Sequence, residues 1–281
     1  MKKKVINVLK KISKSFFDTL YKARVGRLII DNISTTAMDR EMRVIYNGNT
    51  FVFTTPNSLN RWRLDTFSTK EPETLDWIDK LETGSVLWDI GANIGLYSVY
   101  AAKIKNCKVY SFEPSVFNLE LLARNAFANG LSEKINIVPL PLTDSIGINK
   151  LNMTSTAWGG AVSTFGSLAI GHDGKPMKKT FEFCTLGISM DSAVAIMNIP
   201  MPDYIKMDVD GIEHIILKGG ANVLKNVKGV IIEINDDFEE QGETATRLLL
   251  ESGLRLREKT HSVVVEHIEE FKRTFNQIWV R

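Results

Sequence analysis

The chain opens on a helical pattern of apolar and polar positions. Val5, Leu9, Ile12, Phe16 and Leu20 fall three or four residues apart with lysines between them, which predicts an amphipathic helix within residues 5–30. The period then changes. Residues 43–54 read as two short strands around Asn47-Gly48, a strong hairpin signal, and residues 70–81 as a helix with Pro72 in its first turn. From Val86 onward, strand-like and helix-like runs alternate. Strands are expected at 86–90, 108–112, 135–139, 204–208 and 229–234, with a closing pair at 262–266 and 277–280. Helical patterns fill 94–105, 115–129, 211–225 and 238–252. This alternation predicts an α/β fold with a doubly wound, mainly parallel seven-stranded sheet and right-handed crossovers.

One stretch breaks the alternation. Residues 145–190 hold a Gly/Ser/Thr-rich run with Trp158 and Phe165, then the strand-like KTFEFCTL, and read as an inserted β-hairpin with a mobile loop at the mouth of a site. The expected division is an N-terminal unit, 1–81, of basic helix, hairpin and lid, followed by a ligand-binding domain, 82–281, carrying the insert.

Net charge is +2, but it is unevenly placed. Residues 1–27 hold nine Lys/Arg and one acid, Asp18, giving +8 and leaving −6 for the remainder. A basic amphipathic helix either lies peripherally on an anionic membrane or packs its stripe on the protein's own core. Cys107 and Cys184 are the two cysteines, so no disulfide framework is implied and a reducing cytoplasm fits. With the basic charge confined to one terminal segment and no aromatic-interleaved basic patch, nucleic acid is a poor partner.

The chemistry concentrates at Val86–Ala102, VLWDIGANIGLYSVYAA: a buried strand, a glycine turn and the start of a helix. Gly91 and Gly95 let a ligand approach the backbone, and the amides opening the helix are expected to point at it. Glu113, ending the next strand 22 positions after Gly91, is placed to accept ribose hydroxyls. The spacing lacks the G-x-G-x-x-G of dinucleotide binders, and Asp89 would repel a pyrophosphate. An acid there suits the cationic, phosphate-free S-adenosylmethionine.

At this point the motifs become recognisable. WDIGANIGLYS, the FEP of Phe112–Pro114, KEPETLDWI upstream and IKMDVDGIEHIILKGG downstream resemble the FkbM-type methyltransferases, a class I, Rossmann-like, S-adenosylmethionine-dependent family. The family's usual DVEG appears here as Asp208-Val209-Asp210-Gly211. The resemblance implies that Asp89, Gly91, Asn93 and Gly95 cradle the cofactor with Asp208 close by, that Glu113 and Pro114 bound its ribose, and that Asp144 approaches the adenine.

Asp208 and Asp210 at one strand end, His214 just beyond and Glu233 with Asn235 at the next form a polar cluster. Two mechanisms fit it. Either a carboxylate or His214 acts as base, or Asp208, Glu233 and Asn235 hold a divalent cation such as Mg²⁺ that acidifies a hydroxyl. Trp158 and Phe165 are expected to stack on a sugar, with Ser163 bonding its hydroxyls, while Arg61, Trp62, Arg63 and Lys70 form a lid that meets the cofactor carboxylate. The expected activity is O-methyl transfer to a sugar or other polyhydroxylated metabolite, a glycan or its precursor. The alternatives are a cofactor-binding regulatory protein without turnover, or N-methyl transfer.

Overall fold

The computed structural model describes residues 2–167, 169–261 and 272–281, with backbone only for residues 2–6. The N-terminal pattern becomes two helices rather than one, α1 (Lys2–Tyr21) and α2 (Arg24–Met38). They join where the amides of Lys22 and Ala23 donate to the carbonyls of Thr19 and Leu20. The apolar stripe of α1 is not packed on the core: Leu9, Ile12 and Phe16 are each about 60% exposed. Of the two expectations for this segment, docking on the protein's own core is therefore corrected.

Strands β1 (Glu41–Tyr46) and β2 (Asn49–Thr54) pair antiparallel across Asn47 and Gly48, whose φ values of 47° and 72° make the mirror-image turn that matches strand twist. Two short helices follow, α3 (Ser58–Asp65) and α4 (Pro72–Asp79), the second with proline in its first turn. The main unit then runs β3 (Val86–Ile90), α5 (Leu96–Ile104), β4 (Lys108–Phe112), α6 (Val116–Ala128) and β5 (Ile135–Val138). After the insert come β10 (Tyr204–Met207), α8 (Glu213–Lys218), α9 (Ala221–Asn226), β11 (Gly229–Asn235), α10 (Glu239–Glu251), β12 (Arg255–Thr260) and β13 (Thr274–Val280).

These strands form one seven-stranded sheet in the order β12-β13-β11-β10-β3-β4-β5. The five strands from β11 to β5 are parallel, and β13 runs antiparallel between β11 and β12. Strands covered on both faces need apolar residues throughout, which is why VLWDI and GVIIEIN read as runs rather than alternations. One core cluster centres on Trp88, Phe112 and Trp279, the other on Phe51, Leu75 and Tyr100. The chain leaves β3 in one direction and later returns at β10 on its other side, so a crevice opens at the carboxyl ends of β3 and β10.

Three sequence expectations need adjustment. The helix expected over 211–225 is broken at Gly219-Gly220, where a Cβ would lie 2.5 Å from the Thr143 carbonyl and 2.0 Å from the Met190 methyl. The partner of β13 is β12 at 255–260, while the strand expected at 262–266 falls outside the described residues. The insert is more than a hairpin. Strands β6 (Leu142–Thr143), β7 (Gly147–Met153), β8 (Ser163–Phe165) and β9 (Phe181–Ser189) form a four-stranded sheet, and α7 (Met190–Ala195) returns the chain to β10.

The N-terminal hairpin is pinned to the main sheet by Asn125 of α6 and by Asn129, the residue that caps its C-terminus. Buried Asn125 accepts the Thr54 amide at 2.7 Å and donates to the Ile94 carbonyl at 2.8 Å, tying β2 to the turn after β3. Asn129 accepts from and donates to Val52 in the same way. Asn125→Ala leaves a buried donor and a buried acceptor without partners, and urea unfolding is expected to show a loss of about 2–4 kcal/mol.

Candidate active site

The turn between β3 and α5 puts Gly91, Asn93 and Gly95 at φ values of 80°, 50° and 82°. Gly91 is required twice over. Its φ lies in the left-handed region, and a Cβ there would sit 1.8 Å from the Asp208 carbonyl oxygen, so the cradle and the end of β10 touch. The amides of this turn are not free for a ligand. Gly91 and Ala92 donate to the Phe112 carbonyl, Asn93 to Glu113 Oε2 at 2.7 Å, Ile94 to the Asn93 side chain and Gly95 to Ala92. Across Gly91–Gly95 the cradle therefore offers shape rather than free amides, and the expectation that amides point at the ligand rests on those that open α5 at Leu96.

Glu113 is buried at the tip of β4, where its other oxygen accepts the Ser115 amide at 2.8 Å. Burial raises its pKa to about 7 in spite of the Ser115 and Asn93 amides. The carboxyl lines a narrow crevice.

Behind the cradle runs a line of buried charge. Lys206 and Asp89 are register partners on β10 and β3, and Lys206 and Asp208, two apart along the strand direction, point to the same side. The Lys206 ammonium lies 3.5 Å from both carboxylates and 5.2 Å from the centre of the Tyr97 ring. Asp89 also accepts from the Ser98 hydroxyl at 2.5 Å. Burial works against the charge on Lys206, but Asp208 and Asp89 outweigh it and hold its pKa well above the ordinary lysine range.

Glu71 continues the network, paired with Lys70 and accepting from the Tyr97 hydroxyl at 2.9 Å. Burial opposes its ionisation, yet Lys70 and Lys206 bring its pKa down to about 2. Glu233 has the opposite fate. Burial, with Asp208 and Glu71 nearby, pushes its pKa well above the carboxylate range.

The turn after β10 is clamped from below. Glu213 accepts the Val209 and Gly211 amides at 2.9 and 3.0 Å and also binds the Gln241 amide, while burial raises its pKa to about 7. Asp210, at φ 63°, accepts the Val162 amide at 2.7 Å and so holds the insert loop over the crevice. Five more side chains grip that loop by its backbone. Asn93 and Asn118 donate to the Gly160 carbonyl, Arg63 forks onto the Gly159 carbonyl, and Asn57 and Asn60 donate to that of Trp158.

Two connected spaces result. A narrow crevice of about 60 Å³ is bounded by Gly91, Glu113, Pro114, Ser163, Phe165 and Asp208. A wider cavity of about 270 Å³ is bounded by Trp62, Arg63, Lys70, Glu71, Tyr97, Lys206, Asp208, Asp210 and Glu233. Asp208 and Asp210 face both. The phosphate-free character of S-adenosylmethionine fits this donor set, with carboxylates lining the walls and the Gly91–Gly95 amides already engaged.

The sequence candidates separate accordingly. Gly91, Asn93, Glu113, Pro114, Asp208, Asp210 and Glu233 come together around these spaces. Asp89 is fully buried behind them and bound to Lys206. Gly95 caps α5, and a Cβ there would meet Leu122. Ser163 and Phe165 sit on the Glu113 side rather than the wide one. Trp158 is a partly exposed residue on the loop, and Asp144 is exposed and accepts from the Ser145 hydroxyl.

His214 is buried against Phe238 outside both spaces, and burial lowers its pKa. Asn235 spends its side-chain oxygen on the Asp237 amide, so it does not join Asp208 and Glu233 as an oxygen donor. Among the described residues no group of three or more His, Cys, Asp or Glu converges as a metal-ligand set. Sequence reasoning missed Lys206, Glu71 and Tyr97. The signal for Lys206 was present in its two-residue offset from Asp208 at a strand end.

The methyltransferase FkbM domain model matches residues 89–263. A hexuronic acid methyltransferase, AglP, of Haloferax volcanii is 30% identical over 227 residues, covering 79% of this chain and 85% of that one. The ribosomal protein arginine N-methyltransferase rmt3 of Schizosaccharomyces pombe is 30% identical over 86 residues, or 30% of this chain and 16% of that one. Among solved structures, P. horikoshii TYW2 in complex with MeSAdo aligns with a TM-score of 0.46 at 13% identity, over 86% of this chain and 70% of that one.

Two outcomes test the geometry. Gly91→Ala is expected to cost about 3 kcal/mol or more, from left-handed strain and the clash with Asp208, and to abolish cofactor binding in calorimetry. For Glu213, the folded pKa of about 7 lies above the ordinary 4.5, so the native state is penalised as pH rises through that window. The unfolding free energy of Glu213→Gln relative to wild type is therefore expected to grow by about 3 kcal/mol across it. A pH-independent difference would contradict the buried, proton-retaining site.

Proposed function

This chain belongs to the FkbM methyltransferase family, which uses S-adenosylmethionine, and from that premise we propose that it transfers the methyl group to a hydroxyl oxygen of a sugar, within a glycan or glycan precursor. The observation that carries the reading is the position of Asp208. It ends β10 beside the cradle glycine and faces the wide cavity, with its charge oriented by Lys206. The hexuronic acid methyltransferase of Haloferax volcanii supports a sugar as the acceptor class.

When bound, S-adenosylmethionine supplies a methyl group on a sulfonium. The protein's tasks are to hold it, align the acceptor and receive a proton. In this reading the crevice takes the nucleoside, with Glu113 accepting from the ribose hydroxyls. Asp208 accepts the acceptor hydroxyl's hydrogen bond and takes its proton as the oxygen attacks, since an alcohol is a poor nucleophile at neutral pH. Glu233, its ionisation opposed by burial and by Asp208, lines the cavity where it would bond a second acceptor oxygen. Asp210 fixes the loop that roofs the crevice and excludes water. Trp62, partly exposed at the cavity wall, offers an apolar face to a sugar ring. A cytoplasmic enzyme fits the reading, because the donor is a cytoplasmic metabolite.

Asp208→Asn tests it. With labelled S-adenosylmethionine and hexuronic-acid oligosaccharides, turnover is expected to fall by about a hundred- to ten-thousandfold while cofactor affinity stays within about twofold. A variant as active as wild type would move the chemistry elsewhere. Cofactor binding without turnover on any hydroxylated acceptor would favour a regulatory protein instead.

A further inference from the structure

The N-terminal helix pair takes no part in the site. On α1 the apolar residues Val8, Leu9, Ile12 and Phe16 are 55–61% exposed, and on α2 Val25, Leu28 and Ile33 are 51–69% exposed. Side chains of this kind are not left in water along two successive helices without a partner. The pair is nonetheless a defined unit. Gly26 packs so closely on α1 that a Cβ would lie 1.8 Å from the Leu20 carbonyl oxygen, which sets how the two helices meet.

The charge on this unit identifies the partner. Lys10, Lys11 and Lys14 are exposed and lie on the helical arc of α1 opposite Leu9, Ile12 and Phe16. Residues 1–27 carry +8, whereas the rest of the chain carries −6. A second copy docked stripe to stripe would leave both sets of lysines pointing outward, with nothing to meet their charge. A bilayer with anionic headgroups meets both requirements at once, taking the apolar stripe at the acyl boundary and the lysines at the phosphates. Among the described residues no helix is long and apolar enough to cross a membrane, so the geometry is that of a helix lying in the surface.

We infer that residues 1–38 form a peripheral anchor for anionic phospholipid bilayers, which holds the catalytic domain at a membrane surface. The inference stands apart from the methyl-transfer reading, because it concerns residues remote from the cradle.

The test is co-sedimentation of the full chain with phosphatidylcholine vesicles and with vesicles that also contain phosphatidylglycerol. Wild type is expected to bind only the anionic vesicles, and to be released by salt. Lys10→Gln/Lys11→Gln/Lys14→Gln is expected to lose roughly a hundredfold in partitioning, at about fivefold per lysine, while keeping its melting temperature and its affinity for S-adenosylhomocysteine. Ile12→Ser/Phe16→Ser is expected to lose binding at low salt as well. Equal binding to both vesicle types would overturn the inference. So would unchanged partitioning of the lysine variant, or a stable dimer in light scattering with no vesicle binding, which would make a second copy the occupant.

Discussion

The site is organised around one buried cation. Lys206 stands between Asp89 and Asp208 at 3.5 Å from each; Lys206 and Asp89 are buried, while the Asp208 side chain, 26% exposed, opens onto the cavity. Removing one partner from such a group strands an uncompensated charge, at a cost of about 3–5 kcal/mol. The three residues therefore define each other's positions. Asp89 ties the network to β3 and through Ser98 to α5, while Asp208 carries it to the end of β10, where its carbonyl touches the cradle glycine. The parallel register of β3 and β10 is thus also the register of the active site.

The same network sorts the acids by role. Glu71, next to Lys70 and Lys206, stays ionised, while burial and the charges of Asp208 and Glu71 oppose ionisation of Glu233. Carboxyls of one chemical kind thus have their pKa values pushed in opposite directions within one cavity. The insert completes the enclosure. It is gripped through the carbonyls of Trp158, Gly159 and Gly160 and the amides of Gly159 and Val162, so the grip depends on backbone shape more than on the loop's side chains.

Much of this was legible in the sequence. The alternation from Val86 gave the strands at 86–90 and 108–112 to the residue, because buried parallel strands are short apolar runs bounded by turn signals. Gly91, Glu113 and Asp208 were visible because each follows a strand, where such sheets bind ligands. What was hidden depended on contacts across the fold. The break at Gly219-Gly220 comes from close approach to Thr143 and Met190, which no local pattern reports. Asp89 looked like a ligand contact because its true partner, Lys206, lies more than a hundred residues away. His214 looked chemical from its proximity in sequence to Asp208, but its place in the first turn of α8 puts it against Phe238. The exposure of the α1 stripe was likewise undecidable from periodicity, which marks an apolar face without saying what covers it.

The central claim is that Asp89, Lys206 and Asp208 act as one buried unit. The most direct measurement is a double-mutant cycle in urea unfolding, with Lys206→Met, Asp89→Asn and the two combined. The account predicts that Lys206→Met alone loses about 3–5 kcal/mol and that the added Asp89→Asn recovers a large part of it, a coupling well above 1 kcal/mol. Additive losses, with no recovery in the double variant, would contradict it.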